Sequence, residues 1–309
     1  MAEGWSNGGY STDPSHPKYG THDWIAQHAL DWLPQQEKQY IQGNLAAYLY
    51  GTELPDNSNA SGGDGIGDTI KHHIYYSSSG NVTDDASAKR AESEYNLALN
   101  YLKAQDYVDA TKTAGAMTHY IADVAVFGHV MGSSTPWGSE VHHSYYESYV
   151  DEKTSIYSGN FNTYLSFDGS LSTLPAHNGA LNLSYDTTFG GSNHLTCVWM
   201  DTNYNWNNPT FANRCGESLN LAVNTIADVL HTLYQQASNS ANSAPSQAST
   251  LNTVATSTFT INHTATTPDY STIIIILSTV ITAVSIFLIT LTYMQINKRK
   301  SRKISNEHR

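Results

Sequence analysis

His119 and Asp123 stand four residues apart in the stretch HYIAD, and His143 and Glu147 repeat that spacing in HSYYE. Residues four apart on a helix share one face. Each pair can therefore turn two ligand atoms toward one ion, and imidazole with carboxylate is a zinc-type donor set. His129 lies between the pairs. Further candidates stand upstream: Asp56 in GTELPDN, His72 and His73 in KHHIYY, and His22 and His28 in GTHDWIAQHAL. Burying such groups without a partner is costly, so the cluster is either a solvated surface or a site. One helical pair of histidine and acid is a common surface feature, and each upstream residue taken alone reads as solvated or capping. Two pairs with a histidine between them point to metal chemistry.

The elements that would position these groups are helices. From Thr21 to about Tyr50 apolar residues recur at intervals of three and four, with a break near Pro34. A second helix is expected in DDASAKRAESEYNLALNYLKAQ, where Asp84 and Asp85 form a favourable N-terminal pair. Others are expected in DYVDATKTAGAMTHYIADVAVFGHV, EVHHSYYESYVDEKTSIYS and GESLNLAVNTIADVLHTLYQQAS. Strand patterns are few. The segment from Ser158 to Asn213, rich in Tyr, Asn, Gly, Ser and Thr, reads as long loops with short strands. The expected fold class is all-α, a helical domain with a long loop insertion.

In order and local context, Trp5, His22, Asp56, His73, His119, Asp123, His129, His143 and Glu147 resemble the ligand set of the bacterial zinc-dependent phospholipase C family, to which the S1/P1 nucleases are related. The resemblance spans roughly Trp5 to Gln235 and is strongest at HDWIAQHALDWL, HIYY, HYIAD with the following histidine, and HSYYESYVD. It implies a helical domain of the phospholipase C or P1 nuclease type with three zinc ions as cofactor. Asp56, His73, His119 and Asp123 would hold one ion, and His129, His143 and Glu147 a second. Trp5, through its amino group and carbonyl, would join His22 and the bridging Asp123 on the third. Helical spacing favours His143 over His142, whereas His73 is preferred to His72 only through the resemblance of HIYY.

The implied chemistry is hydrolysis of a phosphodiester by metal-activated water, with Asp56 as both ligand and catalytic general base. Glu147 and the long interval from Trp5 to His22 resemble the phospholipase branch, so a phospholipid is the expected substrate. WSNGGY lacks the acid that choline-preferring members carry after the tryptophan, which leaves the headgroup open. The alternatives are a nuclease or nucleotidase, and a zinc-stabilised surface module without catalysis.

The 309-residue chain has a net charge of −12. Six cations against one acid in the last dozen residues make the tail near +5 and leave the rest near −17. An acidic body lacks the broad basic face that stable nucleic-acid binding requires, so no such complex is expected. The acidic surface can still accept an anionic substrate where bound cations reverse the local sign. No charge falls between Ser271 and Asn297, enough residues for a membrane-spanning helix. The expected organisation is an ectodomain over 1–236, a Ser/Thr/Asn-rich stalk over 237–270, a transmembrane helix over 271–296 and a basic cytoplasmic tail over 297–309. The body is thus expected at the outer face of a membrane. Sequons at Asn59, Asn81, Asn182 and Asn262 fit that location. Ala2, Glu3 and Gly4 precede Trp5 as a signal-peptidase site would, so the mature chain is expected to begin at Trp5. Cys197 and Cys215 suit either one disulfide or two free thiols.

Overall fold

The computed structural model describes residues 5–242, with side chains as far as position 239. Nine α-helices form among the described residues. They are α1 (Thr21–Ala29), α2 (Gln35–Gln42), α3 (Leu45–Glu53), α4 (Ala86–Lys103), α5 (Tyr107–Asp123), α6 (His143–Thr154), α7 (Ala176–Phe189), α8 (Cys197–Thr202) and α9 (Pro209–Asn242). The one small sheet among the described residues pairs β1 (Tyr75–Tyr76) antiparallel with β2 (Val82–Asp84). The all-α expectation holds for the described body.

Local chemistry accounts for most boundaries. Pro34 occupies the N-cap of α2, where its missing N–H costs nothing. Asp85 is the N-cap of α4, and Asp84 accepts from the Ala86 N–H at 3.1 Å. Asp106 caps α5 by accepting from the Asp109 N–H. α9 starts at Pro209, earlier than its apolar pattern suggests and with proline in the favoured first position. It also runs through the expected body boundary at 236.

α5 is the axis of the body, buried from Ala110 to Asp123 except at Lys112. Its Ala110, Ala114, Gly115, Ala116 and Ala122 let neighbours approach closely. At the crossing with α3, a Cβ on Gly115 would lie 2.0 Å from the Tyr48 carbonyl oxygen, and one on Gly51 equally close to that of Lys112. The two backbones touch there, and only glycine fits.

The segment 158–213 departs from expectation, because it contains α7 and α8 instead of loops alone. The buried face of α7 is Ala176, Gly179, Ala180, Leu183, Ser184, Thr187 and Thr188. That face follows helical spacing but is made of small and hydroxyl residues, so it carries little hydrophobic periodicity. Thr187 and Thr188 satisfy their hydroxyls on main-chain carbonyls. Where 165–174 is extended, one stripe of α9 fixes it. Asn220, Asn224, Asp228 and Thr232 accept from the N–H groups of Ser166, Asp168, Ser172 and Leu174.

Cys197 and Cys215 are free thiols in the core, and burial pushes both up to about 12. Asn59, Asn81 and Asn182 are exposed, while Asn262 lies outside the described residues. No helix among the described residues is long and apolar enough to cross a membrane. The stalk, the expected transmembrane helix at 271–296 and the tail lie outside them, apart from the stalk's first residues, which continue α9.

Candidate metal centre

Six segments converge on one buried patch. α5 supplies His119 and Asp123 on its final turn, both 0% exposed. α1 supplies His22, which stacks on His119 with ring centroids 3.8 Å apart. The turn after α3 presents Asp56, the chain after a short 3-10 turn at Thr69–Lys71 presents His72, and a second 3-10 turn at Phe127–Val130 carries His129. α6 presents His143 and Glu147 one turn apart.

Asp123 is the hub. Its Oδ1 lies 3.2 Å from His22 Nε2, and its Oδ2 lies 2.9 Å from His72 Nδ1 and 3.1 Å from His119 Nε2. Asp56 Oδ1 is 3.4 Å from His72 Nδ1 and 3.7 Å from His119 Nε2. Glu147 Oε1 lies 2.7 Å from His143 Nε2 and 3.5 Å from His129 Nε2. Three donor groups result, each with ligand atoms within 4.8 Å of one another: His22, Asp56 and His119; His72, His119 and Asp123; His129, His143 and Glu147.

Of the expected ligands, the structure brings together His22, Asp56, His119, Asp123, His129, His143 and Glu147. It also brings Trp5, whose ring is fully buried and whose Nε1–H donates to the Ala122 carbonyl at 3.1 Å. His73 is the exception. It turns outward to Asp84, at 3.0 Å, and stacks on Tyr75. Its neighbour His72, 1% exposed, occupies the position expected of it. Consecutive residues entering a strand point to opposite sides, so only one of the pair can face the cluster, and β1 begins two residues on. His28 is fully engaged elsewhere by Asp31 and the Tyr157 carbonyl. His142 is held by Asp201.

Groups behind the cluster aim the rings. His119 Nδ1–H donates to the Thr52 carbonyl at 2.6 Å, leaving Nε2 toward the carboxylates. His72 Nε2 lies 3.5 Å from Asp68, which is itself gripped by Tyr120 and Arg90. His143 Nδ1 lies 3.5 Å from Glu140. Carboxylates and carbonyls behind histidine are the usual means of fixing a ligand tautomer. Sequence reasoning did not single out Asp68 or Glu140. Their signals were faint: Asp68 precedes His72 by four residues, and Glu140 precedes His143 by three.

The electrostatics are those of a site built around cations. Burial raises Asp56. Burial would raise Asp123 too, yet His119, His129 and His72 hold it well below the usual carboxylate range. Burial lowers His22 and His119. At His72 burial opposes the charge, but Asp123, Asp68 and Asp56 lift it to about 10. His143 reaches about 9 against burial, through Glu140 and Glu147. Several of the buried side-chain polar atoms without a hydrogen bond gather here: both ring nitrogens of His22, Asp56 Oδ1, both Asp123 oxygens and His129 Nε2. Buried polar atoms are rarely left unpaired, and nitrogen with carboxylate oxygen is what zinc takes. The donors fit the metal.

A cleft of about 350 Å³ opens onto this patch, lined by Trp5, Asn7, Tyr10, Asp56, Glu147 and Asp151 among others. Its lining holds three carboxylates and no lysine or arginine.

Fold and site together define a helical metal-binding domain. The sequence model of the family Zinc dependent phospholipase C matches residues 21–177, just over half of the chain. The chain belongs to this family, and zinc is its metal. Among solved structures it is similar to alpha toxin from Clostridium absonum, at 18% identity and a TM-score of 0.45, covering 74% of this chain and 66% of that one. It is also similar to the alpha-toxin of Clostridium perfringens from avian strain SWCP, at 14% identity and a TM-score of 0.42, covering 78% and 68%. The chain thus spans just under two thirds of the length of the first of these. No curated protein matches it significantly.

Proposed function

We propose that this chain is a zinc-dependent phosphodiester hydrolase of the phospholipase C type. The observation that carries the reading is the gathering of buried histidine nitrogens and carboxylates, several of them unpaired, beside a cleft whose lining shares Asp56 and Glu147 with that cluster and holds no lysine or arginine. An anionic phosphodiester enters such a cleft only if bound cations offset the carboxylates. Zinc there supplies a water ionised near neutral pH and positive charge for the phosphoryl oxygens.

The protein's own groups divide the remaining work. His72, His119, Asp56 and Asp123 would hold one ion, and His129, His143 and Glu147 a second. His22 and Asp123 would hold a third, with the amino group of Trp5 joining them if export cuts the chain after Gly4. Asp56 reaches both the cluster and the cleft, so its carboxylate is the base that would take a proton from the attacking water. Tyr10 donates its hydroxyl to the Asp56 carbonyl at 3.1 Å and forms one wall.

Phospholipid is favoured over nucleic acid by the surroundings. Tyr10 on the cleft wall is an exposed apolar side chain, and so are Val141, Tyr145 and Ile70, each within a few residues in sequence of a cluster histidine, which suits a lipid substrate. The body is strongly acidic, which opposes a polynucleotide. Action at the outer face of a membrane is part of this proposal, resting on the apolar run at 271–296 and the basic tail.

The test is hydrolysis of phosphatidylcholine and phosphatidylethanolamine vesicles beside single-stranded DNA, with zinc counted by mass spectrometry, for the parent protein and Asp56→Asn. Lipid cleavage with near three zinc per chain, lost in Asp56→Asn while zinc is retained, is the expected result. Preferential DNA cleavage would move the chain to the nuclease alternative. Bound zinc with no turnover of either substrate would leave the surface module.

A further inference from the structure

We infer that Asp201 is the positioning residue of the His129, His143 and Glu147 group, acting from α8, an element outside the ligand-bearing ones. The inference rests on the metal-binding reading of that group. α6 enters the site without a cap of its own, since no side chain of its N-cap residue His142 bonds the first turn. The Asp201 carboxylate, 5% exposed, serves this entry from the side. It accepts from the Val141 N–H at 3.0 Å, from the His142 N–H at 2.9 Å and meets His142 Nδ1 at 3.2 Å. The His142 ring is also stacked on Tyr204, with centroids 4.8 Å apart and planes within 5°. Three bonds and one stack thus fix the backbone immediately before α6 and hold His142 away from the cluster. His143 is left as the residue that turns inward, with Glu147 one turn later.

The other half of the group is referenced to the same helix. α8 packs against the 3-10 turn that carries His129. In that turn Gly128 lies so close to His143 that a Cβ would meet its ring at 2.3 Å. His129 and His143 cross edge to face at 4.8 Å. α8 therefore holds two separately folded pieces of one donor group at a fixed spacing. Displacement of the α6 entry would pull His143 Nε2 and Glu147 Oε1 from His129 without touching the ligands on α5. A buried carboxylate of this kind costs desolvation, and a fixed metal geometry is the return.

The control is a residue with the same local task elsewhere. Asp228, 9% exposed, accepts from the Ser172 N–H and hydroxyl at 2.8 and 2.6 Å, and so holds a segment that supplies no residue to the cluster. In the full-length protein, Asp201→Ala, Asp201→Asn and Asp228→Ala are compared for zinc stoichiometry by native mass spectrometry, zinc release to a competing chelator and thermal stability. Asp201→Ala is expected to retain its weakest ion at least about tenfold less tightly, the scale for outer partners of zinc ligands. Asp201→Asn, with one acceptor oxygen left, should be intermediate. Asp228→Ala should lose comparable stability with its zinc unchanged. Should Asp201→Ala not fold, the Asn variant carries the same comparison. Parent-like zinc retention in the folded Asp201 variants, or equal zinc loss in Asp228→Ala, overturns the inference. A parent that binds no zinc would instead refute the metal reading on which it rests.

Discussion

At the residue scale, the adjacent histidines 72 and 73 give the sharpest contrast. His72 lies within 3.4 Å of both Asp123 and Asp56, and His73 faces Asp84 at the surface. His72→Ala is expected to lose a zinc ion and at least about tenfold in kcat/KM, whereas His73→Ala should keep both and change stability by no more than about 0.5 kcal/mol. Parallel metal counting and kinetics distinguish them, and equal loss in both variants would contradict the placement. A second prediction concerns protons. His72 and His143 lie at about 10 and about 9 in the metal-free protein, so both are protonated at neutral pH. A raised imidazole stabilises the fold fully below its unfolded value of 6.5 and ceases to do so as the pH climbs through 9 to 10. Zinc takes the neutral ring, so its uptake should release about two protons per chain near pH 7 and strengthen as the pH rises toward 9. Calorimetry in two buffers of different ionisation enthalpy measures the release.

At the scale of elements, the centre depends on how closely helices can approach. α3 leads into Asp56, α5 ends on Asp123, and the two meet backbone to backbone at Gly51 and Gly115. An alanine in an exposed helix would gain about 1 kcal/mol over glycine. At Gly115 the added carbon lands on a main-chain carbonyl, and overpacking of about 1–3 kcal/mol outweighs that gain. Gly115→Ala should therefore melt at a lower temperature and bind zinc less tightly, because α5, which carries Asp123, and α3, which leads into Asp56, are pushed apart. A variant that melts higher with zinc intact would show that the crossing has slack.

At the scale of the whole molecule, the buried donors make folding and metal binding one problem. Without cations, the body must hold Asp56, Asp123 and several imidazoles in its interior with few partners. An ion that binds only the folded state adds about 4 kcal/mol at a thousandfold excess over its Kd. For a body of this size that is a rise in Tm of about 10 °C. Chelation should lower the melting temperature by that order, and added zinc should restore it. Magnesium should not, because it demands octahedral oxygen ligands. Scanning fluorimetry with EDTA and back-titration measures this, and an unchanged Tm would mean the cluster is held together without metal.

Much of this was legible in the sequence. Several helices were readable from an apolar stripe or an N-terminal acid, and the paired donors because four-residue spacing survives from sequence to helix unchanged. The histidine choice at 72 and 73 was not, because nothing local says which of two neighbours faces inward where a turn becomes a strand. α7 was hidden because its buried face is small and hydroxylic, a pattern that becomes a helix only when α4 and α9 cover it. Asp201 carries no signal at all in the sequence, since its partners at 141 and 142 are about sixty residues away. The sequence by itself determined the all-helical class, the acidic body and the identity of most of the donors, all of them properties of short-range periodicity and composition. Only the tertiary structure decided which histidine joins the cluster, which carboxylates aim the rings and which helix holds α6 in place, because these are contacts between distant segments.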